Sequence, residues 1–293
     1  MKKFSLLLIL LLFLYKPAFS QEDPFNTLKE ADVTQFGQPF VTTLGTGLNS
    51  GGFYTASIPS VWGFSISFRG MLIFIPNDQM TFTPQNLPTG YQANPSTATF
   101  WGDKGAIYTG RNGYITYPNG FNQKSVPFLI PQITASFLGT EVLIRYLPKI
   151  SVGTEDVNYF GIGLRHGISQ YLPLVPVDLA VQILYNKLTV TNLITATALA
   201  VNGEVSKTFG LLTAYGGLQY ENSNFDLSYT LKGDPLSGDP SLRQSKNIST
   251  SITGKDHFRI IVGASVQLGF LVINADYNIS SQPVLGGGLS LQF

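Results

Sequence analysis

Over much of the chain, apolar and polar residues alternate one by one. "FDLSYTL" sets Phe225, Leu227, Tyr229 and Leu231 against Asp226, Ser228 and Thr230. "DLAVQILYNK" sets Leu179, Val181, Ile183 and Tyr185 against Asp178, Gln182 and Asn186. "FRIIVGASVQL" sets Phe258, Ile260, Val262, Ala264, Val266 and Leu268 against Arg259, Ser265 and Gln267. "LVINADYNI" sets Leu271, Ile273, Ala275, Tyr277 and Ile279 against Asn274, Asp276 and Asn278. Successive side chains of a strand point to opposite faces, so each stretch predicts a strand with one greasy face and one wet face. Such strands build a soluble sandwich, or a barrel with lipid outside and a polar lumen.

The stretch "VLGGGLSLQF" separates the two. Leu289, Leu291 and Phe293 share one face, Gly288 precedes them, and Ser290 and Gln292 point the other way. A glycine, alternating apolar residues and a closing aromatic resemble the signal that the barrel-insertion machinery of bacterial outer membranes recognises. The predicted fold is therefore all-β, a closed antiparallel transmembrane barrel. With Phe293 placed at the periplasmic end, the strands are 39–47, 50–57, 62–75, 128–137, 140–147, 157–168, 175–190, 194–207, 211–231, 256–268, 271–279 and 283–293. That makes twelve, with the N-terminus in the periplasm and long extracellular loops at 76–127 and 232–255. Within the first loop, "AIYTGRNGYITY" carries Asn112-Gly113, a hairpin signal; if that hairpin joins the wall, the count is fourteen. Residues 21–37 are read as a periplasmic plug-like segment or short helix, and 38–293 as the barrel.

The first twenty residues have Lys2 and Lys3, an apolar run from Phe4 to Tyr15, and Ala18-Phe19-Ser20 at the end. This predicts an export signal cleaved before Gln21, because the run is too short for a membrane helix. Charged residues make up only 12% of the chain, about half the share usual in soluble domains. The 18 basic residues, less the three lysines of the signal, leave 15 against 17 acidic, a balance of −2. That is no footprint for nucleic acid. Cysteine is absent, which rules out a lipid-anchored N-terminus.

Several stretches resemble an uncharacterised family of outer-membrane barrels widespread in Bacteroidota. They are "GLNSGGFYTASIPSVWGFSISFRGMLIFIP", "LGTEVLIRYLP", "FGIGLRHGISQYLP", "LTAYGGLQYE" and "LGFLVINADYNI", in that order along the chain. The resemblance implies a fold and a location and carries no activity. More loosely, the plug-like segment and the fourteen-strand alternative are similar to long-chain fatty-acid transport barrels.

Candidate chemistry is sparse. His166 and Ser169 in "HGIS" stand three residues apart, on opposite faces of an extended chain, so they make no nucleophile and base pair. His257 follows Asp256 at a strand start and marks the membrane boundary. Asp234 and Asp239 in "GDPLSGDP", and the pair Glu155-Asp156, offer too few oxygens for calcium. No metal, cofactor or enzymatic activity is therefore expected. Arg145, Arg165 and Arg259 sit between apolar neighbours in strand interiors and should face the lumen. Glu141, Glu204, Asp178 and Asp276 are the acids available to them. The set makes either a salt-bridged interior or a constriction that selects solutes. Phe82, Tyr91, Phe100, Trp101, Tyr108, Tyr114 and Tyr117 in loop 76–127 make either a pocket for small apolar ligands or the loop's own core. The expected function is that of an outer-membrane barrel surrounded by lipid. It acts as a channel or transporter for small apolar or amphipathic compounds, or as a non-conducting barrel that binds partners through its outer loops.

Overall fold

Strands with a greasy outer face leave no edge free in lipid only if they close on themselves, and in the computed structural model they do. The structure describes residues 28 and 30–293, apart from 86, 92–95, 112, 153–154, 173, 191–193, 232, 238–239 and 241–242. The expected signal 1–20 and residues 21–27 lie outside the described residues. The elements are a helix α1 (Glu30–Asn49), then β1 (Trp62–Phe74), β2 (Thr81–Phe82), β3 (Thr97–Ala98), β4 (Ile107–Gly110) and β5 (Gly113–Thr116). They continue with β6 (Ser125–Phe137), β7 (Thr140–Val152), β8 (Glu155–Gly167), β9 (Asp178–Val190) and β10 (Ile194–Phe209). The last are β11 (Leu212–Leu231), β12 (Lys246–Thr253), β13 (Phe258–Leu268), β14 (Leu271–Ile279) and β15 (Val284–Gln292).

Ten of these form the ring, each antiparallel to the next: β1, β6, β7, β8, β9, β10, β11, β13, β14 and β15. The seam joins β1 to β15, with Phe64 and Phe293 exchanging both backbone hydrogen bonds at 3.0 and 2.8 Å. β12 stands outside the ring order. It pairs with the far half of β11, from Asn224↔Thr253 to Leu231↔Lys246, while β13 takes the near half, from Leu212↔Val266 to Tyr220↔Phe258. At the Phe293 end, called the base here, three connections are two-residue turns: Leu138-Gly139, Gly210-Leu211 and Gly269-Phe270. Leu138 and Gly139 both have positive φ, 50° and 69°, the type I′ geometry that follows the strand twist. The base also carries the ten-residue connection 168–177, and the two longest connections, residues 75–124 and 232–245, lie at the opposite end, the rim.

The faces are inverted relative to a soluble protein. Ile144, Ile162, Val181, Ile183, Val201, Leu218, Ile260, Ile273, Leu285 and Leu289 are exposed on the outside, whereas Gln132, Arg145, Gln182, Asn202, Gln219 and Asn274 are buried within. Aromatics fringe the apolar band at both ends. Trp62, Phe137, Phe209, Phe270 and Phe293 are exposed toward the base, and Tyr146, Phe160, Tyr185, Tyr220, Phe258 and Tyr277 toward the rim.

The expected count of twelve is two too many. Residues 39–47 belong to α1, and 50–57 pair with no strand. The hairpin of loop 76–127 exists as β4–β5 but does not join the wall, which also overturns fourteen. The residues around Asn112 pair as Gly110↔Gly113. The expected loop 232–255 loses its second half to β12.

α1 stands inside the ring. Val33, Phe36, Val41 and Leu48 are buried, and the helix touches β1, β9, β10, β11 and β12 on their inner faces. Its sequence, EADVTQFGQPFVTTLGTGLN, is poor in helix formers, with glycine, threonine and Pro39 throughout. Threonine hydroxyls return to the preceding turn: Thr42 Oγ1 donates to the Gln38 carbonyl at 2.9 Å, and Thr43 Oγ1 to that of Pro39 at 2.8 Å. Space is made on both sides. The wall presents Ala196, Ala198 and Ala200, and a Cβ at Gly47 would stand 2.6 Å from the Phe128 ring. An eight-stranded barrel is filled by side chains alone; ten strands with alanines facing inward admit a helix as well.

Of the segment 21–37, expected on the Phe293 side, only residues 28 and 30–37 are described. Leu28 and the first turns pack among Tyr108, Tyr117 and Phe225 at the rim, and residues 50–61 then descend to Trp62 at the base. Residues 30–37 therefore lie at the opposite end from Phe293.

Candidate functional site

The lumen is where the charged side chains meet, and its occupant is the chain itself. A helix end leaves its last carbonyls without intrahelical donors and carries partial negative charge. Two arginines from opposite sides of the wall meet that need. From β7, Arg145 donates Nη1 to the Leu48 carbonyl and Nη2 to that of Ser50, both at 2.8 Å, and Nε to Gln132 Oε1 at 3.0 Å. From β13, Arg259 donates Nη2 to the Thr46 carbonyl at 3.2 Å and Nη1 to Ser50 Oγ. Arg259 is also paired with Glu221 at 2.8 Å, both side chains being almost fully buried. Asp256, in the break between β12 and β13, accepts from Thr46 Oγ1 at 2.6 Å and from the Ser281 amide at 2.9 Å.

Below the helix, inward side chains take the place of strand neighbours for the descending segment. Gln182 donates to the Gly52 carbonyl at 3.3 Å, Ser265 to that of Tyr54 at 3.3 Å, and Arg165 to that of Thr55 at 3.0 Å. Ser206 Oγ accepts from the Ala56 amide at 2.9 Å and lies 3.2 Å from Thr55 Oγ1. This is why 50–57 resembled a strand in sequence: it is extended, but its hydrogen bonds run to side chains.

Of the lumenal candidates, Arg145, Arg165, Arg259, Glu141, Glu204 and Asp276 all face inward. Arg165 lies 3.4 Å from Glu141 and 3.7 Å from Glu204. Among the described residues Asp276 makes no ion pair with an arginine. It accepts from Tyr215 Oη at 3.0 Å and Asn278 Nδ2 at 2.5 Å. Asp178 stands apart, at the base in an open cavity of about 550 Å³ that it lines with Lys207, Ser57 and Ser169. The sequence reading missed Arg69 and Glu221. Arg69 sits in β1, over the Tyr54 ring at 4.4 Å and bonded to Asn274. Its alternation with Phe68 was available as a signal, as was that of Glu221 with Tyr220. Gly288 of the terminal signal faces inward, and a Cβ there would stand 2.5 Å from Arg69 Nη1. Leu289, Leu291 and Phe293 face out, and Phe293 stacks on Phe270 with centroids 6.4 Å apart.

The loop aromatics fill their own space. Phe100 packs on Phe36 at 5.9 Å, Phe40 at 4.3 Å and Trp101 at 4.8 Å, and Tyr117 packs on Tyr108 at 5.5 Å and Phe82 at 6.0 Å. Tyr91 joins this core, while Tyr114 remains exposed. Trp101 Nε1 donates to Thr43 Oγ1 at 2.9 Å, and Tyr117 Oη to Asp32 Oδ2 at 2.7 Å. Burial first, then the bond to Asp32, pushes the Tyr117 hydroxyl well above the ordinary phenol range. These contacts cement the loop onto α1.

His166 contacts Thr140 Oγ1 at 2.8 Å, Gln170 Nε2 at 2.9 Å and Tyr171 Oη at 3.0 Å, while Ser169 Oγ accepts from the Leu179 amide at 3.3 Å. The two side chains serve different neighbours. Asp239 lies outside the described residues, and Asp234 caps the Leu236 amide at 2.9 Å. Asp156 is bound by Lys149 at 2.7 Å and Ser151 at 2.6 Å. His257 rests on the Glu221 carbonyl at 3.3 Å. Among the described residues no cluster of metal ligands occurs.

The chain is similar to several solved outer-membrane proteins. Ail, the attachment invasion locus protein of Yersinia pestis, is 10% identical, with 80% of this chain and 99% of that one covered at a TM-score of 0.26. A loop-deleted OmpT, an outer membrane protein of Vibrio cholerae, is 12% identical, with 80% and 99% covered at 0.27. OmpF of Salmonella typhi, solved with daunomycin, is 10% identical, with 79% and 97% covered at 0.21. No curated protein matches. The architecture described above rests on this chain's own pairings. The family model of DUF6588, a family of unknown function, matches residues 1–293, and the chain belongs to that family.

Proposed function

We propose that the protein is a bacterial outer-membrane barrel closed by its own N-terminal helix, a non-conducting body that holds the loop module 76–127 at the cell surface. The reading rests on one observation above the rest: the lumenal arginines that would line a pore are bonded to the helix end, Arg145 to Leu48 and Ser50 and Arg259 to Thr46. The apolar band fringed by aromatics supports the location, and the expected export signal agrees with it. Surrounding lipid and the insertion machinery are then its first partners. Passage of small apolar or amphipathic compounds, the other expectation, requires α1 to leave the ring first.

The test is electrical. Purified full-length protein in planar bilayers should give no unitary conductance, and deletion of 30–49 should give open channels. Heat-modifiable gel mobility checks that the deleted form still closes its ring. Steady open channels in the full-length protein would refute the proposal.

A further inference from the structure

On the inner wall at the seam, three polar side chains are left with donors unused. Ser67 and Arg69 of β1 and Ser290 of β15 are each at most 1% exposed. Ser67 stands directly across from Ser290, and Arg69 across from Gly288. Both hydroxyls lack a partner within the protein, as do Nε and Nη2 of Arg69. Arg69 spends only Nη1, on Asn274 Oδ1. The N–H groups of Nε and Nη2 point together from one edge of the guanidinium, the edge that grips an anion with two parallel bonds. Tyr54 roofs this patch. Its ring lies 4.4 Å from Arg69 Cζ, and its hydroxyl reaches Gln292 Oε1 at 3.5 Å, one inward position beyond Ser290. Gly51, with φ 68°, passes so close over the arginine stem that a Cβ there would stand 3.3 Å from Arg69 Cβ.

We infer that the free edge of Arg69 and the hydroxyls of Ser67 and Ser290 form a binding site for one small monovalent anion, chloride, held between the seam and Tyr54. All four groups donate, so the patch suits an anion and repels a metal ion. Burying a guanidinium with unused donors is costly unless something pairs with it. The surrounding charges favour the same occupant. Arg165 has Glu141 and Glu204, and Arg259 has Glu221. Among the described residues neither Arg69 nor Arg145 makes an ion pair. Arg145 spends its donors on two carbonyls and on Gln132. Gln132 stands between it and Ser67 across the strands, so the second uncompensated cation lies two strands from the hydroxyls. The acid on the other side, Asp276, accepts from Tyr215 and Asn278. Two cations facing one acid leave a single positive charge, which a chloride cancels and a water does not. Bound there, the anion pins Tyr54, and with it the descending segment, to the seam. The inference needs the closed ring and its occupied lumen and is independent of whether the barrel conducts.

The test uses purified full-length protein in detergent micelles, titrated with sodium chloride while sodium gluconate holds the ionic strength constant. The thermal midpoint should rise with chloride and keep rising with the logarithm of its concentration, as binding to the folded state alone requires. Arg69→Met should abolish the rise. The double change Ser67→Ala with Ser290→Ala keeps the guanidinium and should weaken the apparent chloride affinity by at least about tenfold. Heat-modifiable gel mobility checks that each variant closes its ring. Crystals grown in bromide should show an anomalous peak at the Nε–Nη2 edge of Arg69. A midpoint indifferent to chloride, or a rise that persists in Arg69→Met, overturns the inference. So does a water at that edge where bromide is expected. A bromide peak without any chloride effect on the midpoint marks an adventitious ion only and overturns it as well.

Discussion

At the scale of single residues, the lumen is a set of charges that need their partners. Arg259 and Glu221 are both removed from water, and such a pair is worth little net but is expensive to break. Arg259→Ala should therefore lower stability by about 3–5 kcal/mol, read by urea unfolding in bilayers, while the double change Arg259→Met with Glu221→Leu should recover most of the loss. At the rim, the raised pKa of the Tyr117 hydroxyl fixes a sign. The folded state keeps a proton that the unfolded chain releases near pH 10, so stability is whole below that pH and declines as the pH climbs above it. Tyr117→Phe should flatten that part of the alkaline decline in the thermal midpoint, and an unchanged profile would show that Tyr117 is not its source. Glycine is required where chain meets chain: the ring of Phe128 leaves no room for a Cβ at Gly47. Gly47→Val should loosen the helix by about 1–3 kcal/mol, seen as faster hydrogen exchange in α1.

At the scale of elements, the alternation was legible and its meaning was not always so. β9, β13, β14 and β15 place their apolar residues outward as the pattern implies. In β11 the alternation passes unbroken through Asn222-Ser223-Asn224, yet the chemistry of the two faces exchanges there. Below, Leu218 and Tyr220 are exposed and Gln219 and Glu221 buried. Above, Phe225 and Leu227 are buried, and Asp226 and Ser228 are exposed. "FDLSYTL" was expected to turn its apolar face to lipid, and it turns that face to the helix instead. Period two reveals that there are two faces but not which medium each one meets; that depends on height above the membrane. Leu218→Arg should consequently cost about 2–4 kcal/mol in a bilayer and Asp226→Arg less than about 1, a contrast that urea titration of the two variants resolves. α1 was illegible for the opposite reason. Glycine and threonine in "FVTTLGTGLN" argue against a helix in water, and only the ring, which excludes water and offers arginines to the last turn, makes one there.

At the scale of the whole molecule, ring closure could be read from the chain, whereas the occupant of the lumen could not. The arginines pointed inward in sequence, but nothing in their spacing says that their partners are carbonyls a hundred residues away. Locking Thr55 to Ser206 by paired cysteines, at positions whose hydroxyls already stand 3.2 Å apart, should leave the closed state unchanged, and the locked protein should give no conductance in planar bilayers before or after the bond is reduced. The stopper and the first stave are consecutive in the chain. Twelve residues, 50–61, separate the end of α1 from Trp62, a leash of about 40 Å at full stretch. A dislodged helix therefore never diffuses away. It competes for its own seat at a local concentration on the order of millimolar, so the barrel recloses by itself, with no new synthesis and no helper.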